Sequence, residues 1–345
     1  MQLTFPGFLR RQFTKQAPVV NADLTSKTVI VLGANTGLGF EATKHFATMN
    51  PERLILACRS QSRGQNALDT ELEAATGYSK AELWIVDLGD FESVKQFADK
   101  FERDGGRLDI LVANAALSVR KYEATKDGWE SSLQVNDLST PLLAFLLLPA
   151  MIKTAEQYST IPRLVVVASE VHHWVKIEKK VLENPDMIKT LGSSEYCTPK
   201  IMSSRYMLTK LLNVFFVRAL NARLPPSTPL VIDAVNPGLC RSELMREAKG
   251  IQVLLVWVIL RIVAFSAEEG SRQLVWGALA HPDKPEKLRG EYISGSQVEE
   301  VNDFVLSPQG IKAQNQLWDE LVEILDTVDP RVTAIVNKYL SSTPA

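Results

Sequence analysis

A short apolar, β-branched run, Thr28-Val29-Ile30-Val31-Leu32, ends in Gly33-Ala34-Asn35-Thr36-Gly37-Leu38-Gly39, and a helix-like segment from Phe40 to Met49 follows. This GxxxGxG loop constrains the fold more than any other feature. Its glycines permit a tight turn and let backbone approach a pyrophosphate closely, and the helix behind it offers unpaired N–H groups and a positive dipole end. Alone, such a motif says little; between a strand and a helix it says much. The same alternation continues along the chain. Arg53–Ala57, Glu82–Val86, Leu108–Ala113, Arg163–Ala168 and Leu230–Val235 read as strands. Gln65–Ala75 and Phe91–Arg103 read as helices, as does a long segment from Trp129 towards Thr154 that must accommodate Pro141 and Pro149. Continuous apolar strands separated by helices predict a parallel sheet covered on both faces. Right-handed crossovers make it a single doubly wound α/β domain of about seven strands.

The remaining sequence bounds the chemistry. With 345 residues, 46% hydrophobic and 23% charged, the chain is neither collagen-like nor disordered. Its 38 basic and 40 acidic residues leave a net charge of −2, so no overall field favours nucleic acid. Cys58, Cys197 and Cys240 form no CxxC pair or Cys/His cluster. No metal site and no disulfide framework are expected, and a reducing, cytoplasmic setting is. Residues 1–23 carry Phe5, Phe8, Leu9 and Phe13 beside Arg10, Arg11 and Lys15. They read first as an arm packed on the body and second as an amphipathic surface anchor, a reading weakened by Pro6-Gly7, which should interrupt a helix. The run Ile251–Phe265 is shorter than the roughly 20 apolar residues a membrane span needs, and Arg261 lies inside it. It reads as a buried or lid helix within a 241–266 region, with membrane contact in second place. Residues 24–300 form the main domain, 174–199 an insertion and 301–345 a C-terminal helical extension on the same domain.

The end of the second strand selects a nucleotide. An acid there would bind a ribose 2′-hydroxyl. Cys58 is neutral and Arg59 follows it, and a guanidinium pairs with a 2′-phosphate, which favours NADP(H) over NAD(H). Asp87 ends the third strand, before Leu88; it either accepts from an adenine amine or caps the next helix. Tyr206 and Lys210, four apart on a predicted helix, share a face. A phenol near pKa 10 is a poor base, but an adjacent ammonium and a nicotinamide cation favour the phenolate and make it a general acid/base. Ser169 follows the Arg163–Ala168 strand, Asn114-Ala115-Ala116 the Leu108–Ala113 strand, and Asn236-Pro237-Gly238 the Leu230–Val235 strand; Asn136 lies in the long helix. Ligands bind at such strand ends in open α/β sheets.

Five separated motifs in this order resemble the short-chain dehydrogenase/reductase family, from about Leu24 to about Val298. Leu56-Ala57-Cys58-Arg59, Ser169-Glu170-Val171-His172 and Gly290-Glu291-Tyr292 are similar to its retinol-dehydrogenase-like branch, of the kind common in fungi. The resemblance implies a Rossmann fold and a carbonyl reductase or alcohol dehydrogenase. Tyr206 would exchange the proton, Lys210 would lower its pKa and bind the nicotinamide ribose, and Ser169 would bond the substrate oxygen. Asn136 would hold a relay water through its backbone. Gly33, Asn35, Thr36, Gly37, Leu38 and Gly39 would cradle the pyrophosphate. Asn114, Ala115 and Ala116 would line the cofactor floor, and Pro237, Gly238 and Ser242 would border the nicotinamide. Two residues depart from the family pattern: Leu32 replaces a threonine that ties strands together, and Ala116 replaces a glycine. The insertion reads as a helical flap beside the substrate mouth, and His172 and His173 as pocket candidates. With Trp174 and Trp257, the Ile251 run suggests a bulky, apolar small-molecule substrate. Leu211–Val217 fits either a homodimer helix or core packing. The competing readings are a non-catalytic NADP-binding protein of the same fold and a methyltransferase, for which Cys58-Arg59 is the wrong chemistry.

Overall fold

The computed structural model describes residues 4–241 and 263–341. Ser242, Trp257 and most of the Ile251 run lie outside the described residues. Eight strands are present: β1 Thr28–Leu32, β2 Arg53–Cys58, β3 Ala81–Ile85, β4 Ile110–Ala113, β5 Arg163–Val167, β6 Val231–Asn236, β7 Tyr292–Ser294 and β8 Val298–Glu299. They form one sheet in the order β3-β2-β1-β4-β5-β6-β7-β8. All neighbours are parallel except β7 and β8. The doubly wound α/β expectation therefore holds. The eighth strand went unseen because a two-residue edge strand carries no apolar pattern.

Alternation along β1 divides the core. Ile30 and Leu32 point into one cluster, with Phe97, Phe101, Phe145 and Phe216. Val29 and Val31 point into the other, with Phe40, Phe46, Leu274 and Val275. β1 is thus apolar on both faces, the property that distinguishes a covered parallel sheet. Helices α2 (Gly37–Thr48) and α6 (Ala267–Leu279) supply the second cluster, and α3 (Phe91–Arg103), α4 (Ser139–Tyr158) and α5 (Arg205–Arg223) the first. The order reverses at β1 and β4, which opens a crevice at their carboxyl ends.

The C-terminal extension forms α7 (Pro308–Val328) and α8 (Arg331–Tyr339), which pack on α5 and α4. Trp318 of α7 meets Phe145 at 5.5 Å between ring centroids, and Phe145 meets Phe216 at 5.9 Å. Every residue of Leu211–Val217 is buried. That stretch is core, and the chain's own extension packs over α4 and α5. The segment Ser131–Tyr158 is apolar and long enough to cross a membrane, but 78% of its most apolar window is buried within the protein, so its apolarity is accounted for by the core.

The arm contains a helix that the sequence did not lead us to expect, α1 (Phe5–Gln12). Pro6 lies in its first turn, where a missing N–H costs nothing, and Gly7 N–H donates to the Thr4 hydroxyl at 3.3 Å. Arg11 pairs with Glu299 at 2.9 Å, Phe8 packs edge-on against Trp174, and the Gln12 amide bonds Leu239 in both directions. The 174–199 insertion consists of short helices, Lys179–Leu182 and Met187–Gly192, that are anchored to the body. Glu320 of α7 accepts from the Met187 and Ile188 amides at 2.8 and 2.6 Å, and Arg205 donates to Leu191 O at 2.6 Å. With Val181, Met187, Ile188 and Leu191 buried, the insertion packs on the body through these helices.

Candidate active site

A cleft of about 270 Å³ lies over the carboxyl ends of the central strands. It runs from Arg59 and Arg63 at one end, past the glycine loop, to Tyr206 and Lys210. The loop fits a diphosphate. Gly33 (φ 71°) and Gly37 (φ 59°) adopt the left-handed conformation, and a Cβ on Gly37 would point into open space. Gly39 is required for a different reason: a Cβ there would strike Gly33 O and come within 2.5 Å of Asn114 Nδ2. Thr36 stands at the N-cap of α2 without a side-chain cap bond, so the first-turn N–H groups are left for an anion. Asn35, Thr36, Gly37, Leu38 and Gly33 line the cleft as expected, and Gly39 lies just behind.

Asn114 does more than line the floor. Its amide donates to Leu32 O at 2.9 Å and Gly33 O at 3.3 Å, tying β4 to β1. Ala115 and Ala116 line the cleft beside it, as do Leu117 and Ser118, which sequence reasoning did not single out. Asp87 and Leu88 also line it. Asp87 Oδ1 accepts from Gly89 N–H at 2.9 Å, whereas the cap of α3 is Asp90, so Asp87 is not the helix cap. Its carboxylate is the one acid among the cleft's described lining residues.

Arg59 has a companion, Arg63, four residues on in the helix Gln61–Asn66. Arg63 also borders an adjoining recess with Asn35, Thr36, Ser62 and Asn66. Arg59 precedes the N-cap Ser60, and a helix that begins at Gln61, and not at Gln65, places Arg63 in its first turn beside the same cleft.

At the opposite end Tyr206 and Lys210 sit on α5, with the Lys210 ammonium 5.5 Å from the Tyr206 ring centroid. Burial pushes the phenol above its ordinary range and pulls Lys210 down to about 8, opposed by the Asp137 charge. Ser169 follows β5 at the N-cap of the short helix Glu170–Trp174, where its hydroxyl accepts from Val171 N–H at 3.4 Å. It is partly exposed but not part of the cleft's described lining. Pro237 lines the cleft, and Gly238 (φ 78°) follows it. The Asn236 side chain fastens this corner: Oδ1 accepts from the amides of Glu170 (3.1 Å) and Gly238 (3.0 Å), and Nδ2 donates to Ser294 Oγ (3.1 Å).

One expectation gains a partner and another changes. Asn136 is buried behind the cleft wall in the π-helical turn Gln134–Leu138. Its side chain clamps Leu117 (2.8 and 2.9 Å) to Thr209 (3.0 Å), and its carbonyl accepts from Asn213 Nδ2 at 2.9 Å. The backbone oxygen expected to hold a relay water accepts from this side-chain amide with one of its two lone pairs. His172 is not a pocket residue. It is buried, and burial lowers its pKa to about 4. Its Nδ1 donates to Ser169 O at 2.7 Å, while Nε2 accepts from Asn302 N–H at 3.3 Å. His173 is buried too, its ring tilted 38° to that of His172 with centroids 4.1 Å apart.

Residues 27–173 match the model of a family described as short chain dehydrogenase. A short chain dehydrogenase/reductase of Cryptosporiopsis sp. is 34% identical over 330 residues, covering 95% of this chain and 99% of its own. A short chain dehydrogenase of Emericella nidulans is 37% identical over 291 residues, 83% of this chain and 89% of its own. Among solved structures, a short chain dehydrogenase from Shigella flexneri complexed with NADP shares the fold, with a TM-score of 0.57 at 19% identity over 80% of this chain and 99% of its own.

Proposed function

The chain belongs to the short-chain dehydrogenase/reductase family, and from that premise we propose that it is an NADPH-dependent carbonyl reductase, reversible as an alcohol dehydrogenase. One observation carries the reading: Tyr206 and Lys210 line the same cleft as the glycine loop and the paired arginines. The reduced nicotinamide, when bound, supplies a hydride. The remaining work falls to side chains of this protein. Tyr206 gives its hydroxyl proton to the oxygen that becomes the alcohol. In the reverse direction it takes that proton back, so it must reach the phenolate that burial disfavours. Lys210 offsets that burial with a positive charge on the same helix. Ser169, at the end of β5, donates to the substrate oxygen as charge gathers there.

NADPH over NADH rests on Arg59 and Arg63, two guanidiniums at the end of the cleft where a 2′-phosphate would lie. The relative solved with NADP supports the same choice. The substrate is proposed to be bulky and apolar, from the composition of the Ile251 run.

The test is loss of reduced-nicotinamide absorbance with a panel of small and bulky aldehydes and ketones, using NADPH and NADH in parallel. Turnover is expected with NADPH and bulky carbonyls. In the doubly substituted Arg59→Ala, Arg63→Ala protein, the KM for NADPH should rise at least roughly tenfold, the loss of charge-assisted bonds, while that for NADH stays near wild type. Equal loss with both cofactors removes the 2′-phosphate assignment. NADPH binding without turnover of any carbonyl removes the reductase reading.

A further inference from the structure

Behind Lys210 lies a buried polar chain that the reaction as described does not use. Asn213, one helical turn beyond Lys210 on α5, accepts from the Lys210 ammonium through Oδ1 at 3.1 Å. Its Nδ2 donates to Asn136 O at 2.9 Å and to Asp137 Oδ1 at 3.1 Å. Asp137, Lys210 and Asn213 are all buried, and Asp137 Oδ2 has no hydrogen-bond partner among the described residues.

We propose that Asn213 and Asp137 are positioning residues for Lys210, aiming its ammonium into the cleft and holding it charged. The proposal rests on the carbonyl-reductase reading and goes one step behind it.

The orientation of Asn213 follows from its neighbours. An amide offers two N–H donors and one carbonyl acceptor. Both donors point at acceptors, Asn136 O and Asp137 Oδ1, so the carbonyl must face Lys210. Turning the amide over would set N–H against ammonium and oxygen against two oxygens, with all three contacts repulsive. Lys210 is constrained in turn. Of its three N–H donors, one goes to Val167 O at 2.5 Å and one to Asn213 Oδ1, which leaves the third for the cleft that Lys210 lines. A lysine side chain otherwise has many rotamers; here two fixed acceptors select one.

Burial disfavours the ammonium and Asp137 favours it, with Asn213 the polar bridge between them; burial likewise pushes the Asp137 carboxyl well up, and the Lys210 and Arg205 charges oppose that. The other charges facing this group are Arg205 and Glu130, which pair with each other at 3.4 Å. Glu130 further accepts from the Ser132 and Leu133 amides. Arg205 is therefore already matched, which leaves Asp137 as the carboxylate available to Lys210. On the cleft side, Tyr206 is the titratable neighbour.

The experiment compares the wild type with Asp137→Asn and Asn213→Leu in the full chain. It records kcat against pH and, without substrate, NADPH affinity against pH by cofactor fluorescence. Removing a nearby negative charge lowers the pH at which a lysine deprotonates. Asp137→Asn should therefore move the alkaline limb of both profiles to lower pH by about one unit, the size of a shift from a close charge. Asn213→Leu should move the limb the same way and lower kcat at least roughly tenfold, part of the 10²–10⁴ that a placed proton-transfer group provides. A merely structural role would lower thermal stability and leave the limbs in place. Unmoved limbs in folded variants overturn the proposal. So does failure of Asp137→Asn, an isosteric change, to fold, since a group that only tunes Lys210 is dispensable for folding. If the wild type turns over no carbonyl, the reductase reading fails, and the pH dependence of NADPH affinity still decides the role of Asn213 and Asp137.

Discussion

The two ends of the cleft are built from different materials. At the phosphate end the backbone does the binding: left-handed glycines, an N-cap without its side-chain bond, and surface arginines at the margin. At the proton end the work falls to side chains, and those behind Tyr206 are deeply buried. Lys210, Asn213, Asn136, Asp137 and Thr209 interlock there across as many as 77 positions of sequence. The first end needs space where a Cβ would otherwise stand. The second needs every donor to find an acceptor, because an unpaired buried polar group costs about 1–3 kcal/mol. The phosphate end can tolerate side-chain change outside its glycines. The proton end should tolerate little.

If the ends are separable, removing one hydroxyl should silence the chemistry and spare the cofactor. Tyr206→Phe keeps the ring and the packing of α5 and deletes only the transferable proton. Turnover should fall by roughly 10²–10⁴ or more, the contribution of a placed general acid, while NADPH affinity by fluorescence titration stays within about twofold. A large loss of affinity would show the two ends to be one cooperative unit.

The converse change adds a methyl group at the phosphate end. Gly39→Ala drives a Cβ into Gly33 O and against the Asn114 amide. Helix α2 must retreat from the loop, and NADPH affinity should weaken about 10- to 100-fold, or roughly 1.4–2.8 kcal/mol. Turnover at saturating cofactor should change far less. A fall in kcat matching that of Tyr206→Phe would break the division from the other side.

This contrast also explains what could be read from sequence. A cradle made of backbone announces itself through glycine spacing, and a covered parallel strand through an unbroken apolar run. The loop, the first six strands and the Tyr206–Lys210 pair were legible for those reasons. Helix α1 was not, because Pro6-Gly7 looks like a breaker until Pro6 is seen to fall in the first turn. Arg63 was hidden by an error of four residues in where its helix starts. Asn213 stands three after Lys210, yet a polar residue at that spacing ordinarily means a solvated helix face. Its meaning comes from Asn136 and Asp137, which only the folded chain brings to it. Likewise Asn236, noted only as following a strand, proves to be the knot joining the ends of β5, β6 and β7.

The smallest expected effect concerns Glu170, next to Ser169 and buried, a group with no counterpart at the phosphate end. Burial pushes its carboxyl up to about 7, against the lowering influence of Arg11 and Asn236. In the unfolded chain it would ionise near pH 4.3. Between those values the native protein holds a proton that the unfolded chain has released. The native state binds more protons, so this group makes stability fall as pH rises through the window, with the full cost present above about 7. Glu170→Gln removes the titration while keeping shape and an acceptor. Its thermal midpoint relative to wild type should climb between about pH 4 and pH 7 and then level off. The gain corresponds to about 1–3 kcal/mol, or a few degrees in a chain of this size. Other displaced groups, such as Asp233, pushed up to about 8, titrate in both proteins and cancel in the difference. A difference independent of pH would mean that the Glu170 carboxylate is already ionised in the native state, held by Arg11. The N-terminal arm would then be an electrostatic partner of the catalytic corner as well as a packed cover over it.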